Sequence, residues 1–416
     1  MELFYILLVL LLITRLFGEL AVRLKQPALV GELVSGIALG MVVRHYSGTF
    51  PVLADLPDNN IFHAITDLAI FFLMLLAGVE THPRELAKVS GSAFLIAVGG
   101  MTVPLAAGLG LGWLYIPDSE YKMAQSLFIA TALAITAVPV AVKVLIDLDM
   151  LKSRMGQTIV SAAVFDDIIS LLMLGVLTAV IRSGEFPDAA RLGWLLGQSL
   201  LFFVIAGLVG QYAFPWIGKL LKSFHASEIE FSALLIGAFG FALLAEALGM
   251  HFILGAFVAG LFFIGRTVDR VAYDNVKTKI SGITEGFLGP LFFASIGMHL
   301  DPGAALSVPG FVVLVTAAAF LCKLIGAGVP AWWMGYSRRE SLGIGVCMSA
   351  RGAVELIIAD IALRAGLFHE PTPTPTVVEY LFSTVVIMAL ATTLLTPIVL
   401  TQIVKRMPAR RKKQVG

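Results

Sequence analysis

Charged residues are scarce in this 416-residue chain, at 14% against 58% hydrophobic, where ordinary soluble domains carry roughly 25%. That shortage excludes a water-facing surface around most of the chain. Cysteine is scarcer still. Only Cys322 and Cys347 occur, both inside apolar runs, so there is no disulfide framework and no metal-type cysteine spacing. Also missing is any polar stretch long enough to form a soluble domain, because apolar runs recur from the first residues to Leu400. The net charge of +1 is uninformative about partners.

What is present is a succession of apolar stretches of the roughly 20 residues that a bilayer crossing requires. They predict helices at 3–22, 28–44, 61–80, 90–115, 123–146, 153–182, 192–221, 229–248, 251–266, 280–299, 304–335, 339–364 and 376–404. The chain therefore reads as an all-α integral membrane protein with about thirteen transmembrane helices. The first stretch has no basic region ahead of it and carries Arg15 and Glu19, so it reads as a retained helix and not as a cleaved leader.

Basic residues test this count, because cytoplasmic loops collect Lys and Arg. Loops after odd-numbered stretches hold Arg23, Lys25, Arg84, Lys88, Lys152, Arg154, Lys219, Lys222, Arg266, Arg270, Lys277, Lys279, Arg338 and Arg339, and the tail adds Lys405 to Lys413. Loops after even-numbered stretches hold only Arg44, Lys122, Arg182, Arg191 and Arg364. The expected orientation is N-terminus outside and C-terminus cytoplasmic. The basic tail, 405–416, should meet anionic lipid headgroups. Trp332 and Trp333 fit an interfacial aromatic belt, and Phe368 to Thr376, with three prolines, reads as an external loop.

Thirteen crossings divide into two six-helix halves and a linker, and halves so joined must be inverted, as in secondary transporters. The fifth and twelfth stretches hold equivalent places, and each is interrupted, by Thr136-Ala-Val-Pro139 and by Ser349-Ala-Arg-Gly352. Crossed discontinuous helices in a transporter core would carry such breaks.

A charge at mid-membrane costs at least ~2.5–3.5 kcal/mol and so needs a partner or a purpose. Asp166 and Asp167 lie more than two turns from either end of the sixth stretch, too deep to reach headgroups. Lys323, in the middle of the eleventh, is a natural countercharge for one of them. The other acid is then uncompensated, and a proton or a metal cation could each neutralise it. Competition of the two for one carboxylate is an exchange mechanism, provided the site opens to one side at a time. Arg351 and Glu355, at i and i+4, read as an internal pair. Arg15 and Glu19 read as a similar pair. Glu32 and Asp67 could line a water-filled funnel or have structural partners; Glu246 is a further isolated acid, and Lys143 should reach a helix end.

The stretches Gln26-Pro-Ala-Leu-Val-Gly-Glu32, Leu76-Ala-Gly-Val-Glu80, Ala134-Ile-Thr-Ala-Val-Pro139, Ala163-Val-Phe-Asp-Asp167, Gly289-Pro-Leu-Phe-Phe-Ala-Ser-Ile-Gly297, Lys323 and Ala350-Arg-Gly352, in this order, resemble the bacterial monovalent cation:proton antiporters with a sodium/proton exchanger membrane domain. The resemblance covers nearly the whole chain. It implies a homodimer in the inner membrane, with a dimerisation part at about 1–85 and 229–300, a moving core at about 90–182 and 304–404, and a linker helix at 192–221. It implies elevator-like alternating access and a role in pH homeostasis. By the same resemblance Asp167 carries the cation or proton, Asp166 ligates the transported metal with it and otherwise pairs with Lys323, and Thr136 helps coordinate the ion. Lys323, Arg351 and Glu355 compensate charge. Two adjacent aspartates imply electrogenic exchange. Ala137 and Ala353 replace a hydroxyl and an acid found in several sodium-selective relatives, which leaves Na+, Li+ and K+ open. No cofactor, no nucleic acid and no enzymatic activity are implied, and no nucleotide-binding regulatory domain is expected. A potassium/proton exchanger or efflux system of the same architecture is the nearest rival, and a sodium-coupled organic-solute symporter a more distant one. An intramembrane aspartyl protease would need its two acids on facing helices and a Gly-Xaa-Gly-Asp motif, and this sequence has adjacent acids and no such motif.

Overall fold

The computed structural model describes residues 2–46, 51–54, 59–80, 91–136, 153–183, 189–221, 228–263 and 270–405, with Gly48, Leu56, Leu145 and Met150 between them. Every regular element among the described residues is helical. In chain order they are α1 (Glu2–Arg23), α2 (Ala28–His45), α3 (Asn60–Glu80), α4 (Gly91–Tyr115), α5 (Lys122–Ala134), α6 (Arg154–Ser183), α7 (Ala189–Leu221), α8 (Ile229–Ala247) and α9 (Phe252–Phe262). α10 runs as Arg270–Ile283, widens into a π-helical turn at Thr284–Leu288 and continues as Gly289–His299. α11 (Pro309–Trp333), α12 (Arg338–Cys347), α13 (Ala353–Arg364) and α14 (Leu381–Lys405) complete the longer helices, and four-residue helical turns lie at Pro51–Ala54, Ala304–Ser307 and Thr376–Glu379. Eight of these, α1, α2, α3, α4, α8, α10, α11 and α14, are long and apolar enough to cross a membrane.

Several boundaries differ from the hydropathy reading, each for a local reason. The stretch 304–335 begins with a single turn, Ala304–Ser307, and Val308 leaves helical geometry before α11 starts on Pro309, whose missing N–H suits a first helical position. The stretch 376–404 likewise splits at Tyr380 into the turn Thr376–Glu379 and α14. The stretch 251–266 holds a helix of 11 residues, about 16 Å at 1.5 Å per residue. The stretch 280–299 extends back to Arg270, because Lys277 pairs with Glu80 at 3.1 Å and Lys279 pairs with Glu228, so this polar half of α10 is matched by partners that hydropathy cannot see. The expected fifth helix, 123–146, stops at Ala134. Lys143, the second part of that stretch and the tail beyond Lys405 lie outside the described residues.

The packing sorts the helices into two sets. α1, α2, α3, α8, α9 and α10 pack chiefly on one another, and so do α4, α5, α6, α11, α12 and α14; α13 packs on α14, α5 and α6 and also touches α3. Close approach within each set depends on missing side chains. Gly99 of α4 and Gly326 of α11 oppose each other, and a Cβ on either would run into the other's carbonyl oxygen. Gly297 of α10 meets the backbone of α2 at Leu33 in the same way. Among hydrocarbon tails such small-residue contacts replace the hydrophobic drive as the source of helix association.

Candidate functional site

Two helix breaks meet inside the second set. α5 ends at Ala134 and the following Ile135 is extended, with φ −71° and ψ 148°. α12 ends at Cys347, and residues 348–352 separate it from α13. A helix that stops inside protein leaves its last carbonyls without intrahelical donors. Arg351 supplies them. Its Nη1 donates to Ala132 O at 3.0 Å and to Ile135 O, and its Nη2 donates to Leu133 O at 2.6 Å. The backbone carbonyl of Arg351 in turn accepts from Thr393 of α14 at 3.0 Å. The broken segment of one helix thus caps the other.

Thr136 makes the second tie. Its hydroxyl donates to Met348 O at 2.9 Å and accepts from Lys323 Nζ at 2.6 Å. Lys323, from the middle of α11, also donates to both Asp166 oxygens, at 3.2 and 3.3 Å. Ser349 Oγ folds back onto Gly345 O at 2.9 Å. Thr136, Asp166, Lys323, Arg351 and Glu355 are all 0% exposed. A buried lysine needs a buried acid beside it, and the expected Lys323–Asp166 pairing is the one found. Asp167 follows Asp166 within α6, and its side chain lies outside the described residues.

Of two expected i,i+4 pairings, one is found with its cation shared and one comes out differently. Arg351 and Glu355 form the expected i,i+4 ion pair, while the two terminal nitrogens of the guanidinium bond the α5 carbonyls. Only Nε remains near Glu355, at 3.8 Å from Oε2, and neither Glu355 oxygen accepts a hydrogen bond from a described residue. The expected Arg15–Glu19 pair is replaced by Arg15–Glu32, at 3.5 Å, and Glu19–Arg23, at 2.8 Å. Glu32 is buried whereas Glu19 is exposed, so the acid in greater need of a countercharge takes Arg15. Glu32 and Asp67 both have structural partners, Asp67 through Arg364 at 2.7 Å.

The sequence reading also missed a cavity of about 940 Å³ lined by His63, His299, Asp301, Asp360, Arg364 and His369, among others. Arg364, read only as a loop arginine, organises one wall by bonding Asp67 and Thr66 at 2.7 Å each and Asp360 at 2.8 Å. The segment read as a plain external loop is pinned by buried Gln125 of α5, whose amide donates to Leu367 O and Glu370 O at 2.9 and 2.7 Å. A buried amide in an apolar run was the available signal.

Comparison with known proteins follows the same lines. Residues 7–406 match the model of the family described as "Sodium/hydrogen exchanger, transmembrane". The chain is 32% identical over 378 residues to the probable Na(+)/H(+) antiporter GerT of Bacillus cereus, covering 90% of this chain and 95% of that one. It is 32% identical over 399 residues to the Na(+)/H(+)-K(+) antiporter GerN of Bacillus cereus, covering 95% of each. Its fold is similar to that of the sodium proton antiporter MjNhaP1 from Methanocaldococcus jannaschii at pH 8, with a TM-score of 0.71, 16% identity, and coverage of 98% and 99%. The chain is thus a multi-pass membrane protein that belongs to the sodium/hydrogen exchanger transmembrane family, a family of transporters and not of enzymes.

Proposed function

We propose that this protein is a secondary antiporter exchanging a monovalent cation, Na+ foremost and Li+ with it, for protons. The observation that carries the reading is the sealed network Met348 O–Thr136–Lys323–Asp166 at the meeting of two helix breaks. In this cluster the buried cations Lys323 and Arg351 are matched by the buried acids Asp166 and Glu355. A further carboxylate at position 167, the next residue of α6, is in excess of that balance. It is held neutral by a proton or compensated by an alkali cation, and the two compete for it.

Asp167 is then the carrier, with Asp166 and Thr136 completing the cation's ligands when Lys323 lets go. Alternating access takes the form of an elevator shift of α4–α6 and α11–α14 against α1–α3 and α8–α10, with α7 as linker, the two helix sets moving as bodies. Two adjacent acids favour electrogenic exchange. The protein works as a homodimer in the cell membrane with the N-terminus outside, its basic tail on cytoplasmic lipid headgroups. Potassium exchange is the second reading, supported by Ala137 and by the dual Na(+)/H(+)-K(+) designation of GerN.

The test is proton flux in sealed proteoliposomes on addition of Na+, Li+ or K+. Cation-dependent flux is expected from the native protein and none from Asp167→Asn. Equal flux in both removes Asp167 from the carrier role, and no flux with any of the three ions removes the antiporter reading.

A further inference from the structure

We propose that Glu355 is the second acceptor of the Lys323 ammonium: when a cation draws Asp166 away, Lys323 turns to Glu355, which thereby sets cation affinity without touching the ion. This positioning role rests on the exchange reading above.

The geometry around Lys323 is uneven. Its bond to Thr136 is short, at 2.6 Å, while both contacts to Asp166 exceed 3.1 Å, longer than the ~2.7–2.9 Å usual for an ammonium on a carboxylate. Lys323 is therefore anchored at Thr136 and loosely held at Asp166. A cation that takes over Asp166 leaves an ammonium with no acid partner in a fully buried place, which is strongly unfavourable unless another acceptor is in reach.

Lys323 bonds Thr136, Arg351 bonds the carbonyl of Ile135, the residue before Thr136, and Arg351 in turn lies 3.8 Å from Glu355, so the buried charges grouped with Lys323 among the described residues are Asp166, Arg351 and Glu355. Arg351 repels it. Glu355 is the remaining acid, and it has acceptor capacity to spare. It is 0% exposed, neither oxygen accepts a hydrogen bond from a described residue, and its near cation offers only a contact at 3.8 Å. Arg351 cannot close on it, because its terminal nitrogens are committed to the carbonyls of Ala132, Leu133 and Ile135. Glu355 also sits in the first turn of α13, where the positive end of the helix favours a negative charge. A buried carboxylate so poorly satisfied is uncommon, and an ammonium arriving from Asp166 would satisfy it. The proton stays on Lys323 throughout, so the exchange of partners moves no charge in or out of the cluster.

The experiment compares native protein with Glu355→Gln in proteoliposomes, using Na+ as the probe, and reads KM and kcat from proton flux. The expected result is a KM raised about tenfold, the loss of one charge-assisted hydrogen bond, with kcat changed by less than about threefold on the same argument. A second measurement, Na+ binding by purified protein read as Na+-dependent thermal stabilisation, repeats the comparison in a Lys323→Gln background. With no ammonium to relocate, Glu355→Gln is expected to leave Na+ binding unchanged there. An unchanged KM overturns the inference while native exchange keeps the antiporter reading intact. A weakening that persists without Lys323 also overturns it, because Glu355 then acts only as a companion of Arg351. Should Glu355→Gln fail to fold, Glu355→Asp, which keeps the charge but withdraws it, is read by the same two criteria.

Discussion

Replacing Arg351 with alanine withdraws three hydrogen bonds from the last turn of α5 in one step. A bond to a charged group contributes about 1.5–3 kcal/mol, so at the lower value the three amount to about 4.5 kcal/mol. An independent route gives a similar figure, since removing one member of a buried charge pair costs about 3–5 kcal/mol and Glu355 would lose its near cation. The expected loss for Arg351→Ala is therefore about 4 kcal/mol. Arg351→Lys separates charge from shape. It keeps a cation beside Glu355, but an ammonium on a single stem cannot fan across three carbonyls, so about half of the loss should remain. The assay is unfolding of the purified protein by SDS titration from mild detergent, followed by helical circular dichroism. An alanine variant within about 1 kcal/mol of the native protein, or a lysine variant equal to it, would refute the idea that the guanidinium closes the break in α5.

Lys323→Met strands Asp166 without a donor and should destabilise by about 3–5 kcal/mol in the same titration, whereas adding Asp166→Asn should recover most of that by removing the second charge; a double variant no better than the single one contradicts the pairing. Gly326→Leu should force α4 and α11 apart at a loss of about 1–3 kcal/mol, while Gly110→Ala on α4, where a Cβ meets nothing within 4 Å, should stay within about 0.5 kcal/mol. Equal effects of the two would argue against close backbone contact at Gly99 and Gly326.

The site was legible in the sequence where physics makes a demand that composition can reveal. A lysine and an aspartate in separate apolar runs require each other, and Lys323 and Asp166 duly meet. Proline and glycine in long apolar stretches announced the breaks near Thr136 and Arg351. What stayed hidden were partners that no spacing encodes. Arg351 stands at i−4 to Glu355, yet it serves carbonyls more than 200 positions earlier in the chain. Arg15 is likewise drawn off its i+4 neighbour by Glu32, buried on another helix. The polar start of α10 escaped because hydropathy counts Lys277 and Lys279 as soluble, although Glu80 and Glu228 answer them. Pro309 marked the break at Val308 and went unread, whereas Tyr380, where another long apolar stretch steps out of helix, carries no residue-type signal strong enough to mark it.

The widened turn at Thr284–Leu288 acts as a phase shifter. A π turn holds one residue more than the α-helical count, so everything from Gly289 to His299 is swung by about 100° relative to an unbroken helix. Below the turn, Tyr273 and Lys277 face α3, bonding Val79 O and Glu80; above it, Gly297 nests into the backbone of α2. Regularising the turn to α-helical geometry with its sequence unchanged would bring Ile296 to the place where only a hydrogen atom fits, whereas deleting one residue from the turn would restore a regular helix and leave Gly297 against α2.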